Sequence, residues 1–146
     1  MGLMVAAAIM VHCSHIGAKE SEKAVCVKPD PNSINPNGSS ELSVLMRKML
    51  QTAQNDREKV IEGVLPENFP EDFLKINTAK PTDNATKKES FTGFSDNYIR
   101  SLRTFYQSPK DELQKNFNAL VISCVACHGD HCPGPLKVIN KLKLPE

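Results

Sequence analysis

The residues in this chain whose types and spacing can do chemistry are Cys124-Val125-Ala126-Cys127-His128, close to the C-terminus. Two cysteines three apart, followed at once by histidine, is the spacing at which a c-type haem is attached to protein. Thiols at i and i+3 can add across the two vinyl groups of a porphyrin. The adjacent imidazole then lies beneath the iron as its proximal ligand. On a helix, positions 124, 127 and 128 share one face, because residues three and four apart are neighbours there. The motif therefore predicts one covalent haem c, bound by Cys124 and Cys127, with His128 as metal ligand. Two other chemistries use the same residue types. A zinc site could draw on Cys124, Cys127, His128, His131 and Cys132. All five lie within nine consecutive residues, however, unlike the separated ligand pairs of structural zinc sites. A dithiol redox pair calls for a neighbouring strand–helix–strand pattern, which the sequence does not have.

The elements that must position the motif read as helices. Leu113, Phe117 and Leu120 fall at spacings of four and three, and Cys124 and Cys127 continue that row, so the haem would sit on the buried stripe of an amphipathic helix. Ser108 stands as its N-cap, Pro109 as its first position and Asp111 where a capping box places an acid. The helix is expected to fray near Gly129, before Cys132-Pro-Gly-Pro135, leaving a basic tail over Leu136 to Leu144. A first helix begins after Ser39 or Ser40 and runs to about Val64, where Pro66 ends it. Leu42, Leu45, Met46, Met49, Ala53, Val60 and Val64 form its apolar stripe. A shorter helix is expected from Glu71 to Thr78, with Phe73, Leu74 and Ile76 inward. A third spans Ala85 to Gln107 and carries Phe91, Phe94, Tyr98, Leu102 and Phe105, weakened by Gly93.

The whole chain sets the frame. Its 146 residues suit one domain plus a processed leader, and a net charge of +1 gives no case for nucleic acid. Hydrophobic residues make up 40% and aromatic residues 5%, with no tryptophan, so the core is largely aliphatic. No apolar run approaches the length of a membrane-spanning helix. Residues 1–18 read as a signal peptide. Leu3 to Val11 supplies a short apolar core and Gly17-Ala18 the small residues of a cleavage site, although no basic residue stands near the start. A lipoprotein modified at Cys13 would need a small residue where His12 stands, and a buried N-terminal helix is the plain alternative. Residues 19–38, rich in proline and asparagine, form an irregular arm. Residues 39–146 are then the helical domain. Export suits the motif, since haem c is attached outside the cytoplasm.

Four amphipathic segments with short connections, and no alternating strand pattern, predict an all-α protein. The expected architecture is an antiparallel four-helix bundle with haem attached to the C-terminal helix. That order resembles cytochrome c′ and its low-spin, methionine-ligated relatives; small globular cytochromes c carry the motif near the N-terminus instead. Glu41-Leu-Ser-Val-Leu-Met-Arg47 also looks like the opening helix of that family. The likeness covers roughly Ser39 to His131, and only the haem motif within it is specific. After His128, the family's basic continuation is replaced by Gly-Asp-His-Cys-Pro-Gly-Pro. The resemblance therefore does not supply contacts to the haem propionates at that end, and Arg47 on the first helix is the candidate for them.

The resemblance implies that the first helix covers the other side of the iron. Met46 and Met49 lie on its apolar stripe, where methionine is ordinarily core filler but can also coordinate iron through its thioether. Met49 is the favoured ligand over Met46. Matching Arg47 to the family's early arginine would instead bring Gln51 near the iron and leave a five-coordinate site. Once Cys13 is cleaved away and the motif cysteines are used, Cys26 and Cys132 remain; a disulfide between them is the first expectation, two free thiols the second and ligation of iron by Cys26 the third. His131 is expected to be solvent-exposed and His15 to leave with the leader. No catalytic acid, base or nucleophile set is evident, so no enzyme is expected. The leading reading is a periplasmic electron carrier with redox proteins as partners, with a homo- or heterodimer left open. A binder of diatomic gas (nitric oxide or carbon monoxide) comes second, and a zinc-binding module third.

Overall fold

A computed structural model describes residues 39–145; the leader, the arm, Cys13, Cys26 and the pairing of Cys26 with Cys132 lie outside the described residues. Among the described residues every regular element is helical, as the periodicity predicted. The long elements are α1 (Glu41–Ile61), α2 (Phe91–Tyr106) and α3 (Leu113–His131), followed by the short α4 (Leu136–Ile139).

Ser40 caps α1, its hydroxyl accepting from the Ser43 amide at 3.2 Å. The helix stops earlier than Pro66 would require. Gly63 adopts φ 71°, the Gly63 amide donates to Val60 (3.0 Å) and the Val64 amide to Lys59 (2.8 Å). These crossed bonds close the last turn through the left-handed conformation that only glycine adopts at little cost. The chain leaves the axis there, so Val64, assigned to the apolar stripe, is 49% exposed.

Helix directions follow from the contacts. Leu42 and Phe91 border one cleft, while the Tyr106 hydroxyl donates to Asp56 at 2.8 Å, so α1 and α2 run parallel. Phe91 packs on His131 and Phe105 on Phe117, so α3 runs back along α2. Residues 62–90 must therefore return the length of α1. They do so without the expected α-helix: Glu71–Asn77 is a 3₁₀-helix, and Phe73, Ile76 and Ala79 are buried at its period of three. That register keeps Leu74 only partly buried. The third expected helix also begins later than Ala85. Asp83 accepts from the Ala85 amide to make a separate 3₁₀ turn, and the chain is helical again only from Phe91.

Two boundaries of α3 differ from expectation. Ser108 is buried and does not cap it; its hydroxyl donates back to Thr104 C=O and accepts from the Asn116 amide. Pro109 stays extended, and a 3₁₀ turn at Lys110–Glu112 leads into the helix. At the other end α3 continues past Gly129 to His131. Cys132 precedes Pro133 and sits at φ −156°, outside helical space, which ends it. The core joins Phe105 and Phe117, both fully buried edge to face at 5.3 Å, with Leu102, Leu120 and Val121. The basic tail folds back along α3. Ile139, Leu142 and Leu144 are buried, and Asn118 exchanges two 2.9 Å hydrogen bonds with the Leu144 backbone.

Candidate cofactor site

The last two turns of α3 face α1 across a largely apolar cleft with two adjoining halves. One half, about 320 Å³, is bordered by Leu42, Phe91 and Cys127. The other, about 140 Å³, is bordered by Met49, Tyr98 and Cys124. Met46, Arg47, His128 and Pro135 border both. The i, i+3 spacing thus sends one motif cysteine into each half, with the histidine between them. The larger half lies within the size range of cofactor pockets, about 300–1,000 Å³. Pro135, Ile139 and Leu142 of the folded-back tail wall the smaller half.

His128 is oriented by the chain that ends its own helix. Its Nδ1 lies 3.0 Å from Cys132 C=O and 3.3 Å from Cys132 Sγ. A carbonyl only accepts, so Nδ1 carries the proton and the lone pair is on Nε2. Holding Nδ1–H on a backbone carbonyl is how proteins present imidazole to a metal. The turn at Cys132-Pro133 that stops α3 is therefore also what sets the tautomer.

Burial governs the two thiols. It pushes Cys124 up to about 12, with a smaller contribution from Cys127. It pushes Cys127 up to about 11, reinforced by Cys132 and Asp130. Both are neutral in the folded chain, the reverse of the lowered thiol of a redox pair.

The remaining candidates separate clearly. Met49 is 8% exposed and reaches only the smaller half, whereas the partly buried Met46 borders both halves with His128. Arg47 is exposed at the mouth, donating from Nη2 to Ser39 Oγ at 2.8 Å. Gln51 is exposed and borders neither half. Among the described residues Cys124, Cys127 and Cys132 form no disulfide. His131, expected in solvent, is instead buried: its side chain is 1% exposed and lies edge-on to Phe91 and Phe94. Its Nδ1 donates to Thr86 C=O at 2.9 Å, and Nε2 lies 3.3 Å from Asp130 Oδ2. This anchor carries α3 past Gly129, and His131 borders the larger half of the cleft together with His128. Among the described residues no three of His, Cys, Asp and Glu converge as a ligand set for a lone metal ion.

Two features escaped the sequence reading. Tyr98 was assigned to the α2 stripe by its period, but nothing in the period says that it faces the cleft. The tail walls were legible only as an apolar–basic alternation over Leu136 to Leu144. The residues present fit a covalent haem: an apolar slot, a thiol in each half, and an imidazole with Nε2 free between them. Compared with family models, curated proteins and solved structures, the chain matches none.

Proposed function

We propose that this chain is a c-type haem protein built as a four-pass helical bundle resembling cytochrome c′, working as an exported, periplasmic one-electron carrier. A single observation carries the reading: Cys124 and Cys127 border the two halves of one apolar cleft, with His128 between them and its Nδ1 engaged by Cys132. In the bundle's second pass a 3₁₀ segment stands in for the expected α-helix, and the haem-bearing helix is α3. The group supplies an iron that exchanges one electron between its ferric and ferrous forms.

The chain does the rest. Cys124 and Cys127 would hold the group through thioethers, and His128 would offer it Nε2. Phe91, Leu50 and Ala53 keep water from the slot, and water exclusion limits the reorganisation that accompanies a change of charge. Arg47, at the open mouth of both halves, is the cation available to the propionates. Of the two methionines, Met46 rather than Met49 would offer the iron a second ligand, because Met46 borders both halves together with His128. A redox partner would approach the exposed mouth at Arg47 and Pro135.

A second reading, binding of a diatomic gas, is favoured by the two methionines that border the smaller half-cleft, which are unbranched and flexible enough to leave a ligand position open.

The test is attachment. The full chain, produced with a haem-attachment pathway, should keep its haem on a denaturing gel, since thioether bonds survive denaturation. The double variant Cys124→Ala/Cys127→Ala should lose the haem stain. Covalent haem in the double variant, or none in the wild-type chain, refutes the proposal.

A further inference from the structure

The half-cleft that Cys124 borders takes its other walls from α1, α2 and the C-terminal segment, and these are held very differently. α1 is tied along its length. The Leu42 amide donates to Lys80 C=O at 3.0 Å, Lys48 pairs with Asp72 at 2.8 Å, and Asp56 accepts from Tyr106 at 2.8 Å. α2 packs Phe105 on Phe117 inside the core. Residues 133–145 are bonded to other elements only at their far end. Asn118 holds the Leu144 backbone through two 2.9 Å hydrogen bonds, and Gln114 Nε2 donates to Pro145 C=O at 2.7 Å. Among the described residues no hydrogen bond or ion pair joins this segment to α1. At its near end Pro133, Gly134 and Pro135 are exposed, and a Cβ added at Gly134 would touch nothing. Leu142, between those ends, borders two separate voids. One is the apolar half-cleft of about 140 Å³; the other is a polar gap of about 350 Å³ that Arg57 and Glu58 of α1 share with Val138 and Lys141.

We propose that residues 133–145 are a strap over the Cys124 half of the cleft, hinged at Pro133-Gly134-Pro135 and clasped shut by Asn118. Its regular elements are a single turn each, four residues in α4 and three in the 3₁₀ turn Asn140–Leu142, so the strap has little internal structure to lose. The apolar side chains it buries fully are three: Ile139, Leu142 and Leu144. Segments with few buried apolar contacts open at the lowest free energy, and lids over binding sites are drawn from them. Closed, the half-cleft of about 140 Å³ falls below the roughly 300–1,000 Å³ of ordinary ligand pockets. Lifting the strap withdraws Ile139 and Leu142 and opens the Cys124 thiol to solvent. The occupant it serves is a bulky apolar group bonded at Cys124, and in that respect the inference rests on the haem reading; the opening itself does not.

The experiment uses the full chain made without a haem-attachment pathway, in which both motif thiols remain. Alkylation under native conditions is followed at Cys124 and at Cys127 by peptide mass spectrometry, in the wild-type protein and in Asn118→Ala, which removes both bonds of the clasp. Alkylation of Cys124 should accelerate roughly 5- to 150-fold in the variant, the equivalent of two net hydrogen bonds, while Cys127, in the half that Ile139 and Leu142 do not border, changes by less than about 2-fold. Hydrogen exchange on the exported wild-type protein gives a second reading. The amides of Ile139 and Leu144 should exchange ahead of those of Leu120 and Val121 in α3. Equal alkylation of Cys124 in the two proteins overturns the strap, and so does exchange of Ile139 and Leu144 only together with Leu120 and Val121. If Asn118→Ala unfolds, with both thiols accelerated alike and helical circular dichroism lost, the wild-type exchange decides. Neither reading requires haem. A strap that opens in a chain that takes up no covalent haem therefore refutes the haem proposal alone, and covalent haem beneath a segment that never opens refutes the strap alone.

Discussion

The two methionines of α1 are separable by one pair of substitutions, because burial and position assign them different consequences. Met49 is 8% exposed within the hydrophobic core, so Met49→Ala removes a nearly complete core side chain. Such truncations cost about 2–5 kcal/mol. For a domain of this size that lowers the melting temperature by on the order of 10 °C or more. Met46 is only partly buried, and by the same scale its packing is worth about 1–2 kcal/mol. Met46 is nonetheless the methionine that borders both half-clefts with His128. Met46→Ala should therefore change the iron more than the fold. The expected result is loss of the sulfur-to-iron charge-transfer band in the near infrared, conversion of ferric iron from low to high spin, and faster carbon monoxide binding. Met49→Ala should keep the band and melt earlier. Absorption spectra and thermal unfolding of the two haem-loaded variants decide the matter. A band that survives Met46→Ala and disappears in Met49→Ala would refute the placement argued here and return the ligand to Met49. A wild-type protein already high-spin would remove both methionines from the iron.

Two further substitutions test how α1 and α2 are held. Asp56 is 5% exposed, and burial raises its carboxyl above the ordinary value of 3.8 against the opposing pull of the Tyr106 hydrogen bond and Lys59. A raised folded value means that the native state binds the proton more tightly, so stability falls as pH climbs from about 3.8 through that value and is level above it. Tyr106→Phe removes the donor, raises Asp56 further and should cost about 1.5–3 kcal/mol near pH 7, a cost that shrinks as pH falls through the two raised folded values, as read by urea unfolding across pH. A cost that does not depend on pH would show that the ring, rather than its hydroxyl, is what matters. Gly63→Ala should cost about 1–2 kcal/mol through its φ of 71° alone, since the added Cβ would meet only Lys110 Cε at 3.8 Å. An unchanged melting temperature would mean that the end of α1 does not need the left-handed turn.

The sequence alone determined the helical class and singled out the motif. Both are local: thiols at i and i+3 beside an imidazole stand out by their spacing, and apolar residues recurring at three and four name a helix with one buried face. Local patterns also put the cap of α1 at Ser39 or Ser40, of which Ser40 holds it, and placed Phe105, Phe117 and Leu120 in the core. They could not say where a helix stops when competing signals lie close together. Pro66 suggested the end of α1, but the crossed bonds at Gly63 close it first. Gly129 suggested fraying, but Phe91, Phe94 and Thr86, some forty residues away in the chain, bury His131 and keep α3 wound. What only the tertiary structure decided are the pairings across the cleft. Periodicity assigns a side chain to a face of its own helix but not to a partner on another. That Met46, rather than Met49, borders both halves with His128 depends on how α1 is rotated and shifted against α3. That Tyr98 meets the cleft while Tyr106 meets Asp56 depends on how α2 lies across both.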